Sequence, residues 1–239
     1  MSSIIWTPRA VSTSSRVQSA RLWRAVEAQH RASTRRLVGN VTEQHLLEDI
    51  LEATKPPVAD DVGKLDYLLS TPFRYPPRQG GSRFRGQEDP GVFYGAEEQR
   101  TACAELGYWR WRFLTDSEGL TSLGPAPQTL FQVAVKTSAV DLEKPPFSRH
   151  SRLWRARDDY RATQRFGRVA REAGAGLIRY QSVRDPAKGQ CGAVLRADAF
   201  SSPKPVAPVE TWFLTLTPEY VTWQRDSAAF EFAMQPRAA

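Results

Sequence analysis

The sequence contains few of the side chains that form disulfides or bind transition metals. Its 239 residues include two cysteines, Cys103 and Cys191, and three histidines, His30, His45 and His150. The cysteines lie far apart and form no CxxC pair, which argues against a disulfide scaffold and a zinc site. The histidines are isolated from one another along the chain. We therefore expect no metal, and a reducing cytoplasm fits the cysteine content best.

Long apolar runs are also missing. No stretch approaches the apolar length that a bilayer span requires, and the N-terminus has no apolar core of the kind found in signal peptides. No GxSxG motif is present, so a serine hydrolase of the α/β type is unsupported. These absences predict a soluble, unexported protein with no membrane association.

Positive charge, in contrast, is in excess. The formal net charge is +7, mostly through arginine. A basic balance favours an anionic partner, which could be nucleic acid, an acidic protein or a small phosphorylated ligand. The aromatic motifs of RNA-reading domains and zinc-finger spacings are absent, so charge alone leaves these classes open.

The first part of the chain has the pattern of helices. Residues 17–55 predict helical structure, with apolar residues at helical spacing through 46–51 and a stop at Pro56. A short apolar patch follows at 65–73, and then a basic loop rich in proline and glycine. We therefore predict that residues 1–70 form an N-terminal helical segment packed on a main domain of residues 71–239.

Strand patterns dominate the second half. Residues 92–96, 129–137, 176–183 and 192–200 predict strands, and residues 210–225 predict a closing hairpin. One helix is predicted to begin near Glu97 and another near Asp158, which can cap it. The fold class that follows is α+β.

Glu105 lies in an unusual position on the first of these predicted helices. At helical spacing it falls at the margin of an apolar arc that consists of Ala102, Cys103, Leu106, Trp109 and Phe113. None of its neighbours three or four residues away is a cation, so an ion pair within the helix is not available. Its carboxylate could instead pair with an arginine of the basic loop or bind a ligand hydroxyl, because an unpaired buried charge is very costly.

Other candidate residues have two interpretations each. Guanidinium groups of the basic loop suit bidentate binding of phosphates but equally suit a solvated loop; they belong to Arg74, Arg78, Arg83 and Arg85. Tyr94 could be a packing residue of a strand or a stacking surface for a flat ring. Ser182 could simply close the turn that follows its strand, and Arg184 could lie on the surface.

Four stretches occur together in one order: TPFRY, GSRFRG, VFYGAEEQRTACAE and IRYQSVRDP. Tyr94 lies eleven positions after Arg83, and Glu105 lies eleven positions after Tyr94. This combination resembles the RES-domain family, the toxin halves of Xre-RES toxin-antitoxin modules. The resemblance extends from about residue 71 to the C-terminal strands.

The resemblance implies a fold like that of ADP-ribosyltransferases: a split, strongly bent β-structure with flanking helices and a cleft for NAD+. It implies that Arg74 and Arg83 lie near the pyrophosphate and that Tyr94 packs against the nicotinamide and its ribose. Glu105 matches the family's glutamate, Ser182 matches its serine at the nicotinamide end, and Tyr75, which follows Arg74, is assigned to the lining of the same cleft. Arg85 stands where many relatives have asparagine, so it receives no role.

The function implied is cleavage of the nicotinamide–ribose bond of NAD+ by hydrolysis or phosphorolysis, which would deplete NAD+ and arrest growth. NAD+ is then a substrate, and no metal takes part. The implied partner is an Xre-type antitoxin that covers the cleft and alone contacts DNA, in a complex that could contain a homodimer of this chain. Two alternatives stay open: a mono-ADP-ribosyltransferase that modifies a cellular protein, and a non-catalytic basic binding protein.

Overall fold

A large mixed sheet is the central feature of the computed structural model, which describes residues 6–28, 38–54, 56–57, 62–77 and 79–235. Its strands are β1 (Arg16–Glu27), β2 (Phe93–Ala96), β3 (Leu123–Asp141), β4 (Leu177–Gln181), β5 (Gln190–Val194), β6 (Glu210–Leu216), β7 (Tyr220–Arg225) and β8 (Ala228–Ala233). Within the described residues their order is β1-β2-β5-β4-β3-β6-β7-β8, and β1 also pairs with β3.

The double pairing of β1 gives the sheet two parts. The strands β1, β2, β5, β4 and β3 form a closed circuit, and β6, β7 and β8 extend from the first half of β3. Residues 123–130 of β3 pair with β6, whereas residues 139–141 pair in parallel with β4. The long strand β3 therefore joins both parts, and the predicted α+β class with a split, bent β-structure is confirmed.

Six α-helices accompany the sheet in the described residues: α1 (Pro8–Ser14), α2 (Val41–Ala53), α3 (Tyr67–Arg74), α4 (Gln99–Asp116), α5 (Ser151–Trp154) and α6 (Arg161–Glu172). Helix α4 packs against β6 and β7 in an apolar cluster that includes Trp111, Leu214 and Trp223. Helix α6 contributes Phe166 to a second cluster with Trp154 and Tyr180. None of the helices in the described part of the chain is long and apolar enough to cross a bilayer.

The prediction of helix for residues 17–27 is wrong. They form β1, which pairs with β3 along its whole length, from Arg16 opposite Ala139 to Glu27 opposite Gln128. Arginine, leucine, alanine and glutamate favour helices in isolation, but burial against a partner strand outweighs such preferences. The helical interpretation holds for α2, so residues 1–70 are not a purely helical segment.

Two local expectations on the flanking helices also require correction. Trp109 and Phe113 are 44% and 53% exposed, so they do not belong to the buried face of α4. That face is set by Gly107, where a Cβ would lie 2.6 Å from Cγ1 of Val221, because the glycine lets the helix approach β7 closely. Asp158 does not cap α6; the helix begins after Tyr160, and the Arg161 backbone N–H donates to Asp159.

Candidate active site

Glu105 lies in the first half of α4, partly buried, at the centre of a group of polar side chains. Its Oε1 accepts a hydrogen bond of 2.5 Å from Oγ of Ser182. The thiol of Cys191 lies 4.0 Å from the same oxygen. The carboxylate is therefore bound by a hydroxyl from a distant strand, and it forms this contact at the margin of the buried helix face.

Ser182 follows β4 directly, and its position is fixed by the turn after it. Its Oγ accepts hydrogen bonds from the backbone N–H groups of Arg184, at 3.1 Å, and Asp185, at 3.0 Å. A hydroxyl has one proton to donate and two lone pairs to accept with. Because both N–H groups occupy the acceptor side, the single proton is directed to Glu105.

Asp185 attaches this turn to α4. Its Oδ2 accepts a hydrogen bond of 2.7 Å from Oγ1 of Thr101, in a buried contact. Arg100 lies 3.7 Å from the other carboxylate oxygen. At Gly189 a Cβ would lie 2.0 Å from Oγ1 of Thr101, so only glycine permits this approach. The turn and the helix thus hold Ser182 and Glu105 in register.

Arg83 is the loop arginine that reaches this group. It is only 7% exposed, and its Nη1 donates to the backbone carbonyls of Trp154 and Ala156, both at 2.9 Å. Its guanidinium lies 4.9 Å from the ring centroid of Tyr160 and 5.9 Å from that of Tyr180. Burial raises the pKa of Glu105, and the positive charge of Arg83 is close enough to oppose that rise.

Tyr94 binds the residues on both sides of Arg83. Its hydroxyl accepts from the Phe84 N–H at 2.9 Å and shares a hydrogen bond of 2.8 Å with Oγ of Ser82. Its own backbone carbonyl accepts from Nη1 of Arg24 at 2.7 Å. These contacts make Tyr94 a positioning residue for the arginine; its packing against a nicotinamide stays a prediction.

The remaining predicted residues lie in a neighbouring network. Nε of Arg74 donates to the Pro56 carbonyl at 2.6 Å, and its guanidinium lies 5.9 Å from the Tyr75 ring. Arg85 donates to the carbonyls of Tyr75 and Asp89, both at 3.0 Å. These contacts link Arg74 and Tyr75 to Pro56 and Arg85, and Arg78 lies outside the described residues.

A surface position is the ordinary explanation that the sequence offers for Arg184, but the side chain lies in the interior. Its side chain is only 1% exposed, and its guanidinium lies 3.6 Å from the ring centroid of Tyr108, one turn after Glu105. Nη2 donates to the Arg157 carbonyl. The segment SVRDP reads as a polar turn, and no local signal marks the arginine for burial. Only the fold brings the aromatic ring of α4 beneath it.

Burial governs the ionisation of this group. Burial raises the pKa of Glu105 above 4.5, while the Ser182 hydrogen bond and the charges of Arg83 and Arg184 oppose that rise. Burial, with the nearby Glu105 charge, also raises the pKa of the Cys191 thiol and of the Tyr180 phenol well above their usual ranges. The carboxylate is therefore the group poised to carry negative charge, and Cys191 is not activated as a thiolate.

The site has no donor set for a metal ion. In the described ranges no three His, Cys, Asp or Glu side chains come together as ligands, and both cysteines are free and buried. A groove beside the start of α3, lined by Asp66, Lys204 and Thr211, contains none of the residues around Glu105. The chemistry that these residues can support is stabilisation of a developing positive charge next to a bound anion.

A family model for the RES domain matches residues 59–217, about two thirds of the chain. The chain belongs to the RES domain family. The matched range contains Arg83, Tyr94, Glu105 and Ser182, and it excludes β1, β7 and β8. No curated protein sequence matches this RES-domain chain.

The fold has a solved counterpart. The RES-domain chain resembles a chain in the crystal structure of the M. tuberculosis MbcT-MbcA toxin-antitoxin complex, with a TM-score of 0.51 and 14% sequence identity. The match covers 88% of this chain and 92% of that one. At this identity the likeness concerns the fold, which extends beyond the family match to nearly the whole chain.

Proposed function

We propose that this RES-domain protein is the toxin of a toxin-antitoxin pair and cleaves the nicotinamide–ribose bond of NAD+ in the cytoplasm. The observation that carries the proposal is the 2.5 Å contact between Glu105 and Ser182 beside two buried arginines, Arg83 and Arg184. The family membership and the fold shared with a chain of a toxin-antitoxin complex support the role as a toxin.

The chemistry explains why a single carboxylate suffices. Nicotinamide is cationic in NAD+ and leaves as a neutral molecule, so the leaving group needs no proton. Positive charge develops on the ribose, and the enzyme must stabilise it and orient the sugar. Ser182 engages Oε1 of Glu105, which leaves Oε2 to accept a hydrogen bond from the ribose 2′-hydroxyl. Such a contact strengthens as the sugar becomes cationic.

The arginine supplies the complementary function. Guanidinium groups bind phosphate oxygens through charge-assisted, often bidentate hydrogen bonds. Arg83 is held by two backbone carbonyls and by the loop that Tyr94 anchors, so its direction is fixed before a ligand arrives. We assign it to the pyrophosphate of NAD+, which acts as substrate, with Arg74 and Tyr75 farther along the same cleft. No metal is needed for this chemistry.

An antitoxin belongs to the same proposal. The structural counterpart was solved as a toxin-antitoxin complex. We infer that an Xre-type antitoxin binds this chain over the site and withholds NAD+ from it. DNA would then be contacted only through the antitoxin. The net charge of +7 also suits this chain to bind an acidic surface of a partner protein.

The experiment is an assay of purified protein with NAD+, with and without phosphate, in which chromatography resolves the products. We expect the wild type to release nicotinamide and Glu105→Gln to release it about a hundredfold to a thousandfold more slowly, as for loss of one electrostatic contact to a transition state. Glu98→Gln, an exposed glutamate just before the same helix, is the matched control and should keep wild-type activity.

The products also separate the alternatives. Free ADP-ribose identifies water as the acceptor, and a phosphorylated ADP-ribose identifies phosphate. Transfer of labelled ADP-ribose to lysate proteins without free product would favour a mono-ADP-ribosyltransferase. An unimpaired, folded Glu105→Gln protein, or a wild type that releases no nicotinamide, would contradict the proposal.

A further inference from the structure

Arg184 is a buried cation whose hydrogen bonds are incomplete. Its Nη2 donates to the Arg157 carbonyl and lies 3.4 Å from both the Tyr160 hydroxyl and a carboxylate oxygen of Asp158. Its Nη1 is buried and has no hydrogen-bond partner among the described residues. A buried N–H group of a charged side chain without a partner is costly, so such a group usually has a ligand or a partner that completes it.

The guanidinium belongs to the site of Glu105. The Arg184 backbone N–H donates to Oγ of Ser182, the hydroxyl that binds Glu105. Its guanidinium plane stacks on Tyr108 and lies 5.8 Å from the Trp109 ring, both one turn after Glu105 on α4. Stacking on an aromatic face fixes the orientation of a guanidinium while its edge N–H groups stay available.

Arg184 and Arg83 approach each other around one tyrosine. The ring of Tyr160 faces Arg83, and its hydroxyl lies 3.4 Å from Nη2 of Arg184. Most bonds of the two guanidiniums go to backbone carbonyls of the segment 154–157, which are neutral. Asp158 also lies 3.7 Å from Arg112 and is 44% exposed, so its charge is shared and screened. Asp185, the other carboxylate that acts on Glu105, lies 3.7 Å from Arg100. With these pairs counted, positive charge exceeds negative charge around Glu105.

We propose that Arg184 is a second anion-binding residue of the site and that its Nη1 donates to a phosphate group. The proposal rests on the function proposed above and extends it by giving a role to Arg184, to which the family resemblance assigns none. The phosphate has two sources with the same chemistry: the pyrophosphate of the dinucleotide, or a free phosphate that attacks the ribose. Arg83 and Arg184 then both bind phosphate at the site, while Glu105 faces the ribose.

The kinetic test uses Arg184→Gln and Arg184→Lys, with Arg179→Gln as the matched control. Arg179 is a partly buried arginine of β4 that binds Gln18 and Glu97, and it projects to the other side of the strand from Tyr180. Nicotinamide release is measured with NAD+ and with nicotinamide riboside, which carries no phosphate, over a range of phosphate concentrations.

A charge-assisted hydrogen bond is worth roughly tenfold to a hundredfold in affinity. If the phosphate belongs to the dinucleotide, Arg184→Gln raises KM for NAD+ by about that factor and leaves riboside cleavage unchanged. If it is the free acceptor, the phosphate concentration for half-maximal rate rises for both substrates. Arg184→Lys should recover part of the loss. Equal losses with both substrates at every phosphate concentration, or no loss at all, would overturn the proposal.

A binding measurement separates this proposal from the catalytic one. Calorimetric titration of the wild type and Arg184→Gln with ADP-ribose, and separately with inorganic phosphate, requires no turnover. Weaker binding of either probe by Arg184→Gln supports the assignment even if the wild type releases no nicotinamide. Equal binding of both probes by the two proteins refutes it, whatever the activity assay gives.

Discussion

Two opposing effects act on the pKa of the Glu105 carboxylate. Burial raises its pKa, and the Ser182 hydroxyl with the two arginines lowers it again. The net direction is upward, so the folded protein holds a carboxylate that is harder to ionise than in the unfolded chain. A functional group that costs stability is common in active sites, because the cost supplies a charge in the place where the reaction needs it.

This cost predicts the stability of Glu105→Gln. Because the folded pKa lies above the unfolded value of about 4.5, the wild type loses stability as pH rises from that value through the folded pKa. The variant cannot ionise and escapes this loss. We expect equal free energies of unfolding below the unfolded pKa and a more stable variant at neutral pH, as measured by urea unfolding across that range. A variant that is less stable at neutral pH would contradict this.

We predict that Ser182 sets the acidic limit of the proposed activity. Its hydrogen bond lowers the pKa of Glu105, so Ser182→Ala should raise that pKa further. Glu105 must be ionised to stabilise a cation, and the acidic limb of the pH profile of kcat/KM should therefore move to higher pH. The exposed Ser201 provides the control, since Ser201→Ala should leave the limb in place. If the acidic limb of Ser182→Ala does not move, Ser182 does not influence the ionisation of Glu105.

At the scale of residues, the sequence predicts which side chains are unusual better than it predicts their partners. Glu105 was expected at the edge of an apolar helix face, and it is partly buried there, although that face is rotated toward Tyr108 and Trp111. Ser182 lies 77 positions away, and no local pattern links the two. The burial of Arg184 could not be predicted, because it depends on a ring from another element.

At the scale of elements, α6 supports the loop that carries Arg83. Helix α6 and the backbone of Phe84 lie so close at Gly167 that a Cβ there would be 2.5 Å from the Phe84 carbonyl oxygen. The amide of Gln164 also donates to the carbonyls of Gly80 and Ser82. The helix thus fixes the loop from one side while the Tyr94 hydroxyl fixes it from the other.

This packing predicts an effect of Gly167→Ala that opposes helix propensity. Alanine in place of an interior helical glycine normally stabilises by about 1 kcal/mol. Here the methyl group must displace the backbone next to Arg83, so we expect a lower melting temperature and weaker binding of ADP-ribose in calorimetry. Gly39→Ala, where the new Cβ would make an ordinary contact of 3.4 Å, should leave both the melting temperature and ADP-ribose binding unchanged. A stabilised Gly167→Ala protein with normal binding would contradict the packing argument.

Elements with a strong local pattern were predicted well. Strands β2 and β4, helix α4 and the β6–β7 hairpin lie close to where alternation, helical spacing and turn residues place them. The strand predicted for residues 192–200 matches β5 only at 192–194, since β5 begins at Gln190 and residues 197–199 form a short 3₁₀ helix. Strand β1 was not predicted, because its residues alternate weakly and include good helix formers. Its strand conformation depends on β3, more than 100 positions later in the chain. Such long-range pairing is not encoded in a local window.

At the scale of the whole molecule, β1 closes the circuit that supports the site. It pairs with β2, which carries Tyr94, and with β3 over the full length of β1. Its Leu22 is 1% exposed and belongs to the same apolar cluster as Phe93 and Leu177. The family match begins after this strand, at residue 59, yet the sheet is incomplete without it.

Removal of the N-terminal strand should therefore prevent folding. A chain that begins at residue 38 lacks β1 and α1, leaves one edge of β3 unpaired from residue 128 to residue 139, and opens the core around Phe93. Loss of one buried leucine typically costs about 2 to 5 kcal/mol, which is a large part of the stability of a whole domain. We expect this chain to show no cooperative thermal transition by circular dichroism.

The matched control removes helix instead of strand. None of the described side chains of α2 is buried, so replacing Val41–Ala53 with a flexible linker of equal length removes little from the core. We expect the linker variant to unfold cooperatively, close to the wild-type melting temperature. If instead the chain without β1 folds and the linker variant does not, the N-terminal residues act as a helical appendage and the closed circuit is not what stabilises the site. The paired result decides this because both variants alter the same end of the chain and only one of them removes a strand.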